Sequence, residues 1–203
     1  MRWYWIDRFI EFESGRYAKA VKNISLAEDY LHDHFPAYPV LPKTLVIEGL
    51  AQTGGLLVSE HNAFLEKVVL AKIPFARFYA EALPGDRLVY LARLESISRD
   101  GAIVSATSHK DGQLQAEMEI VFAHFNSSQI DSLYEPESFL RMMRMLGAYD
   151  VGHAADGGPL LPPARLLQAV AADHAQNPPQ NCHRQPARPG DAEVPNCSGT
   201  GSN

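Results

Sequence analysis

Cysteine is nearly absent from this chain: 203 residues contain two, Cys182 and Cys197, and the first 181 positions contain none. A disulfide framework is thereby excluded for the main body, which fits a reducing cytoplasm. Basic charge is also scarce, with 18 Lys and Arg against 24 Asp and Glu and a formal net charge of -6. That balance argues against general nucleic-acid binding, which neutralises phosphates with Lys and Arg, although it leaves room for a local basic patch. Long apolar runs are missing as well. The longest, Thr44 to Val58, is broken by Glu48 and Gln52 and is too short to span a bilayer, so no membrane span is expected. The opening MRWYWIDRFIEFESG sets Arg2, Asp7, Arg8, Glu11 and Glu13 among its aromatics. With no unbroken apolar region and no small-residue cleavage site, it reads as mature sequence, and the expected location is the cytoplasm. What the chain does have is 46% hydrophobic and 21% charged residues, enough to build a sizeable core.

Half of the glycines and prolines fall after Asp150, in the last quarter of the sequence. Pro162-Pro163, Pro178-Pro179 and Pro186-Ala187-Arg188-Pro189-Gly190 are incompatible with the interior of regular elements. Residues 151–203 are therefore expected to be a disordered tail, interrupted at most by a short helix over Ala164 to His174. Residues 1–127 read as a compact α+β unit, and 128–150 as a helical extension with its helix at Glu137 to Met145. Within the unit, Ile6 to Glu13 and Arg16 to Ile24 alternate as strands around a Ser14-Gly15 turn. A loop or helical turn follows through Glu28 to Leu31. Further strands are expected at Val68 to Phe75 (extending toward Tyr79), Arg87 to Ser96, Ala102 to Lys110 and Gln113 to Phe125. Pro84-Gly85-Asp86, Arg99-Asp100-Gly101 and Asp111-Gly112 supply the turns between them.

Thr44 to Asn62 is the one long helix, and it has almost no polar face: Leu45, Val46, Ile47, Leu50, Ala51, Leu56, Leu57 and Val58 surround it. Such a helix is buried on nearly all sides. Gly49, Gly54 and Gly55 each cost it roughly 1 kcal/mol of propensity. They make sense where something packs against the helix backbone. A strongly curved antiparallel sheet wrapped around one buried helix, the hotdog arrangement, meets both conditions.

Two residues carry candidate chemistry. His34 opens the segment His34-Phe35-Pro36-Ala37-Tyr38-Pro39-Val40-Leu41-Pro42, a stiff loop whose prolines fix φ and lead straight into the helix. A stiff loop holds a catalytic imidazole at a defined angle. It equally suits a structural histidine bonded to a backbone carbonyl. Glu48 sits one turn into the apolar helix, where desolvation favours the protonated carboxyl and makes it a candidate general acid. The plainer alternative is a carboxylate that escapes to solvent or pairs with an Arg. Gln52, at i+4, shares its face and is a candidate to orient it.

The segment HFPAYPVLPKTLVIEGLAQTGGLL resembles the signature of the bacterial 3-hydroxyacyl-acyl-carrier-protein dehydratases of fatty-acid elongation, the FabZ type. The matching positions are His34, Phe35, Pro36, Pro39, Pro42, Glu48, Ala51, Gln52 and Gly55. Ala76-Arg77-Phe78, Pro84-Gly85-Asp86 and Ala116-Glu117 match later motifs in order, so the resemblance spans Ile6 to Phe125. Ala37 and Lys43 stand where the family has Gly. The resemblance implies a hotdog fold and loss of water from a 3-hydroxyacyl thioester to give a trans-2-enoyl thioester. It implies His34 as general base, protonated Glu48 as general acid, and the Lys43 amide at the helix start as holder of the thioester oxygen. Thr44 and Gln52 join Lys43 as oxyanion or substrate-binding candidates. It further implies an acyl carrier protein as partner, no cofactor, and a homodimer or trimer of dimers in which His and Glu come from different subunits.

Weaker signals are read plainly. His32-Asp33-His34 is a poor match to metal-ligand spacings, so no metal is expected, and Cys182-His183 and Cys197 lack a zinc pattern. His61, His109 and His124 are read as surface or sheet residues. Lys72, Arg77 and Arg87 suit an acidic carrier but more simply are solvated sheet-edge charges. Two rival functions stand beside dehydration: a hotdog acyl-thioesterase, and a non-catalytic acyl-binding hotdog.

Overall fold

The computed structural model describes residues 4–125, 136–168 and 171. Alternation of apolar residues produces β1 (Arg8–Glu13) and β2 (Tyr17–Asn23), turned at Gly15, whose φ of 71° suits a residue without Cβ. A single helical turn, α1 (Tyr30–Asp33), precedes the long helix α2 (Lys43–His61). Strands β3 (Lys67–Phe78), β4 (Arg87–Ile97), β5 (Gly101–Lys110) and β6 (Gln113–Phe125) follow. Asp111 and Gly112 both take positive φ, so the β5–β6 connection has the backbone sign of a type I′ hairpin. Then come α3 (Pro136–Met145), α4 (Ala148–Val151) and the two-residue β7 (Gly152–His153).

The strands form one seven-stranded sheet in the order β3-β6-β5-β4-β2-β1-β7. Every pairing is antiparallel except β1 with β7. The sheet curves around α2, which packs against β2, β3, β4, β5 and β6. Leu50, Leu57 and Val58 of the helix are fully buried, as are Leu88, Tyr90 and Ala92 of β4 and Ile120 of β6. This is the hotdog fold. The helix glycines have the expected cause: a methyl group at Gly49 would lie 2.3 Å from Tyr90 Cε2, and one at Gly54 3.1 Å from Val104 Cγ1. No helix among the described residues is long and apolar enough to cross a membrane.

The expectation of disorder from residue 151 is corrected at its start. β7 pairs with β1, Phe12 opposite Gly152 and Glu13 opposite His153. Leu160 and Leu166 join the core beside Leu140, Met143, Leu146 and Ala148. Pro162-Pro163 lies just ahead of helical residues 164–168, where the expected short helix from Ala164 begins and where a proline is compatible with a helix start. Local composition gave the wrong answer because these few leucines find a ready apolar surface on the domain. Apart from residue 171, the remainder of the expected helix to His174 and of the tail, together with residues 128–135 of the expected extension, lies outside the described residues.

Candidate active site

The loop from His34 to Pro42 is closed on itself and pinned to a neighbour. Phe35 and Tyr38 exchange backbone hydrogen bonds at 3.1 and 2.9 Å, and Val40 N–H donates to the His34 carbonyl at 3.0 Å. Leu41 N–H donates to Ala82 O at 2.8 Å, tying the loop to the segment after β3. The His34–Phe35 peptide is cis. Neither Ala37 nor Lys43 has positive φ, so neither position needs the glycine that the related signature carries.

Half-buried His34 stacks on Phe35 with ring centroids 4.4 Å apart, and its Nδ1 lies 3.0 Å from the Val40 carbonyl oxygen. A carbonyl only accepts, so Nδ1 carries a proton. In the neutral ring the lone pair is then on Nε2, which makes that nitrogen a candidate base. The structural and catalytic readings of this histidine do not compete, because the backbone bond occupies one nitrogen and frees the other.

Facing His34 is a cleft of about 340 Å³ lined by Phe35, Val40 to Thr44, Ala80 to Ala82 and Gln115. α2 begins at its edge. No side chain caps that helix, so the amides of Lys43 and Thr44 remain among the unpaired donors of its first turn, at the positive end of the helix dipole. The Lys43 ammonium turns away to lie 5.5 Å from the Phe78 ring centroid. At the rim, Tyr38 donates to Glu81 Oε2 at 2.5 Å, and that bond raises the exposed phenol above its ordinary range. Lys110 Nζ bonds the Glu81 carbonyl at 3.1 Å and Asp86 Oδ2 at 3.0 Å.

Glu48 and Gln52 form a separate pair. Gln52 Nε2 donates to Glu48 Oε1 at 2.7 Å, and Trp5 N–H donates to Gln52 Oε1 at 2.9 Å. Glu48 does not line the His34 cleft. The expectation of a carboxyl starved of water is corrected too: within one chain Glu48 is half-buried. Within one chain the structure therefore gathers His34, Lys43 and Thr44, and sets Glu48 with Gln52 elsewhere. Sequence reasoning missed Trp5 and Gln115. A backbone donor leaves no sequence signal, but Gln115 is a polar residue buried beside the inward-facing Ala116, Met118 and Ile120, and that was visible. Its Nε2 donates to Ala80 O at 2.8 Å and holds the cleft wall. Among the described residues no group of three or more His, Cys, Asp or Glu is placed to hold a metal ion.

The model of the FabA-like domain family matches residues 3–124. The chain belongs to this family. Its matched part comprises β1 to β6, α1 and α2, leaving α3, α4 and β7 outside. A 3-hydroxyacyl-(acyl-carrier-protein) dehydratase FabZ of Listeria welshimeri is 36% identical over 119 residues, covering 58% of this chain and 83% of the relative. Another of the same name, from Nitratiruptor, is 39% identical over 124 residues, covering 57% and 82%. Among solved structures, that of smu.793 from Streptococcus mutans bound to acetyl CoA has a TM-score of 0.50 at 16% identity, covering 62% of this chain and 93% of that one. That likeness shows the fold alone.

Proposed function

We propose that this protein dehydrates 3-hydroxyacyl groups held as thioesters on an acyl carrier protein, giving trans-2-enoyl thioesters for fatty-acid synthesis. The observation that carries the reading is the His34 imidazole, its Nε2 free, in a cleft beside the open amides of Lys43 and Thr44. His34 Nε2 removes a proton from C2. The charge that develops on the thioester oxygen is held by the first-turn amides. Glu48, in its protonated form, donates to the C3 hydroxyl, which departs as water while the C2–C3 double bond forms. Gln52 fixes the direction of that carboxyl. The cysteine-free body suits a reducing compartment, and we assign the reaction to the cytoplasm.

Because one chain keeps His34 and Glu48 in separate surroundings, the reading requires a second copy to complete each site. The outer edge of β3 suits this pairing. It is a twelve-residue edge strand that leaves Val69, Leu70 and Phe75 exposed. Homodimers, alone or as trimers of dimers, follow.

The test is conversion of a 3-hydroxyacyl thioester of acyl carrier protein, with His34→Ala and Glu48→Gln as inactive controls. Mixing the two inactive variants under conditions of subunit exchange should restore about a quarter of wild-type activity. Half the dimers are then mixed and each carries one intact site of two. Release of free thiol without enoyl product would instead support a thioesterase, and acyl binding without conversion a binding module.

A further inference from the structure

An amide side chain can aim a carboxylic acid only if it cannot turn over, because a flipped Gln would present its oxygen as an acceptor for the acid's own proton instead of donating to the other carboxyl oxygen. In this protein the flip is blocked by the main chain. The Trp5 N–H can only donate, so Gln52 Oε1 must face it at 2.9 Å, and Nε2 must face Glu48 at 2.7 Å. Trp5 precedes β1 and belongs to no helix or strand, so its peptide is held through its side chain. The ring is buried at 5% exposure, with Lys22 Nζ 4.5 Å from its centroid and the Tyr30 ring at 5.4 Å. Lys22 is itself buried, an unusual place for an ammonium, and is compensated by Glu28 at 2.9 Å and Asp7 at 3.8 Å. Asp7 is anchored in turn by the backbone and side-chain amides of Asn23 at 2.7 and 2.8 Å.

We infer that Trp5, wedged by Lys22 and Tyr30, is a positioning residue for the acid half of the site, acting on Glu48 through Gln52. The inference rests on Glu48 as the proton donor. It gives the buried Lys22 cluster a task that folding alone does not demand, since a buried ion pair is weak evidence of stabilisation.

The experiment is a double-mutant cycle on the full chain, read as kcat and KM separately. Trp5→Pro deletes the donor and Gln52→Met the relay. Each should lower kcat about tenfold, the loss of one neutral hydrogen bond, with KM altered less than about twofold. The double variant should be no slower than Gln52→Met alone, because both act on one carboxyl. Trp5→Phe, which keeps the N–H and an aromatic wedge, should recover kcat to within about twofold of wild type. If Trp5→Pro does not fold, Trp5→Ala, which keeps the N–H but removes the ring that wedges it, takes its place with the same expected loss and the same cycle against Gln52→Met. Losses that multiply to about a hundredfold in the double variant, an unaffected kcat, or a Trp5→Phe as slow as Trp5→Pro would each overturn the inference while leaving dehydration standing. A wild type without dehydratase activity, or a fully active Glu48→Gln, would overturn the functional reading and this inference with it.

Discussion

Replacing Gly49 with alanine should destabilise the protein, although alanine is the better helix former. The added methyl would sit 2.3 Å from Tyr90 Cε2, 2.6 Å from Cζ and 2.9 Å from the hydroxyl oxygen. Carbon atoms pack best near 3.5–4.0 Å, so helix and ring must separate by roughly 1 Å or more. Neither moves freely. Tyr90 is fully buried on β4, whose register is held by β2 on one side and β5 on the other. Overpacking of this kind costs about 1–3 kcal/mol, and the gain in helix propensity returns about 1 kcal/mol. The net loss is up to about 2 kcal/mol, a fall in Tm of up to about 8 °C for a chain of this size. Gly55→Ala is the control. Its methyl would meet Phe122 Cε1 at 3.4 Å, the edge of ordinary contact, so propensity should win and Tm should rise by about 2–4 °C. The assay is thermal unfolding of both variants beside wild type. Equal shifts of the same sign, or a stabilised Gly49→Ala, would refute the claim that β4 presses on the helix backbone.

Further predictions follow from other contacts. Burial holds the Glu60 carboxyl above its ordinary range despite a hydrogen bond with Ser14. As pH rises from the ordinary carboxylate range, the unfolded chain therefore loses this proton first and the folded state loses stability. Glu60→Gln should melt higher than wild type at pH 8, by on the order of 2–4 °C, with the gap closing toward pH 4. A gap that widened in acid would reverse the sign and refute the argument. Leu166→Ala should cost about 2–5 kcal/mol in denaturant unfolding, because that side chain is buried in the core beyond the family match. Leu161→Ala, at a site 71% exposed, should stay within about 0.5 kcal/mol; equal effects would mean the segment is not docked. Tyr38→Phe removes only an exposed bond to Glu81 and should change stability by less than about 1 kcal/mol, measured by the same unfolding curves.

Much of the architecture was written in local patterns. Alternation placed β1, β2, β4, β5 and β6 within two residues of their ends, and Asp111-Gly112 fixed the hairpin because few other pairs tolerate positive φ twice. The all-round apolar helix with three glycines announced a wrapped helix before any sheet was seen. His34 was legible because its prolines stiffen the chain locally, and Glu48 because a charge amid apolar neighbours stands out. Pairing information was not legible. β3 leaves its sequence neighbours and reaches the far edge beside β6, a choice made by long-range ladder bonds and not by its own residues.

For this protein, sequence by itself singled out the candidate residues for chemistry and the period each element follows, since both depend on side-chain type and spacing along one short stretch. Tertiary structure alone decided that His34 and Glu48 occupy different surroundings in one chain, and that Trp5, 47 positions away, holds Gln52. It also decided that Leu160 and Leu166, on either side of a proline pair, join the core. Each of these depends on surfaces distant in sequence meeting in space, which no local pattern records.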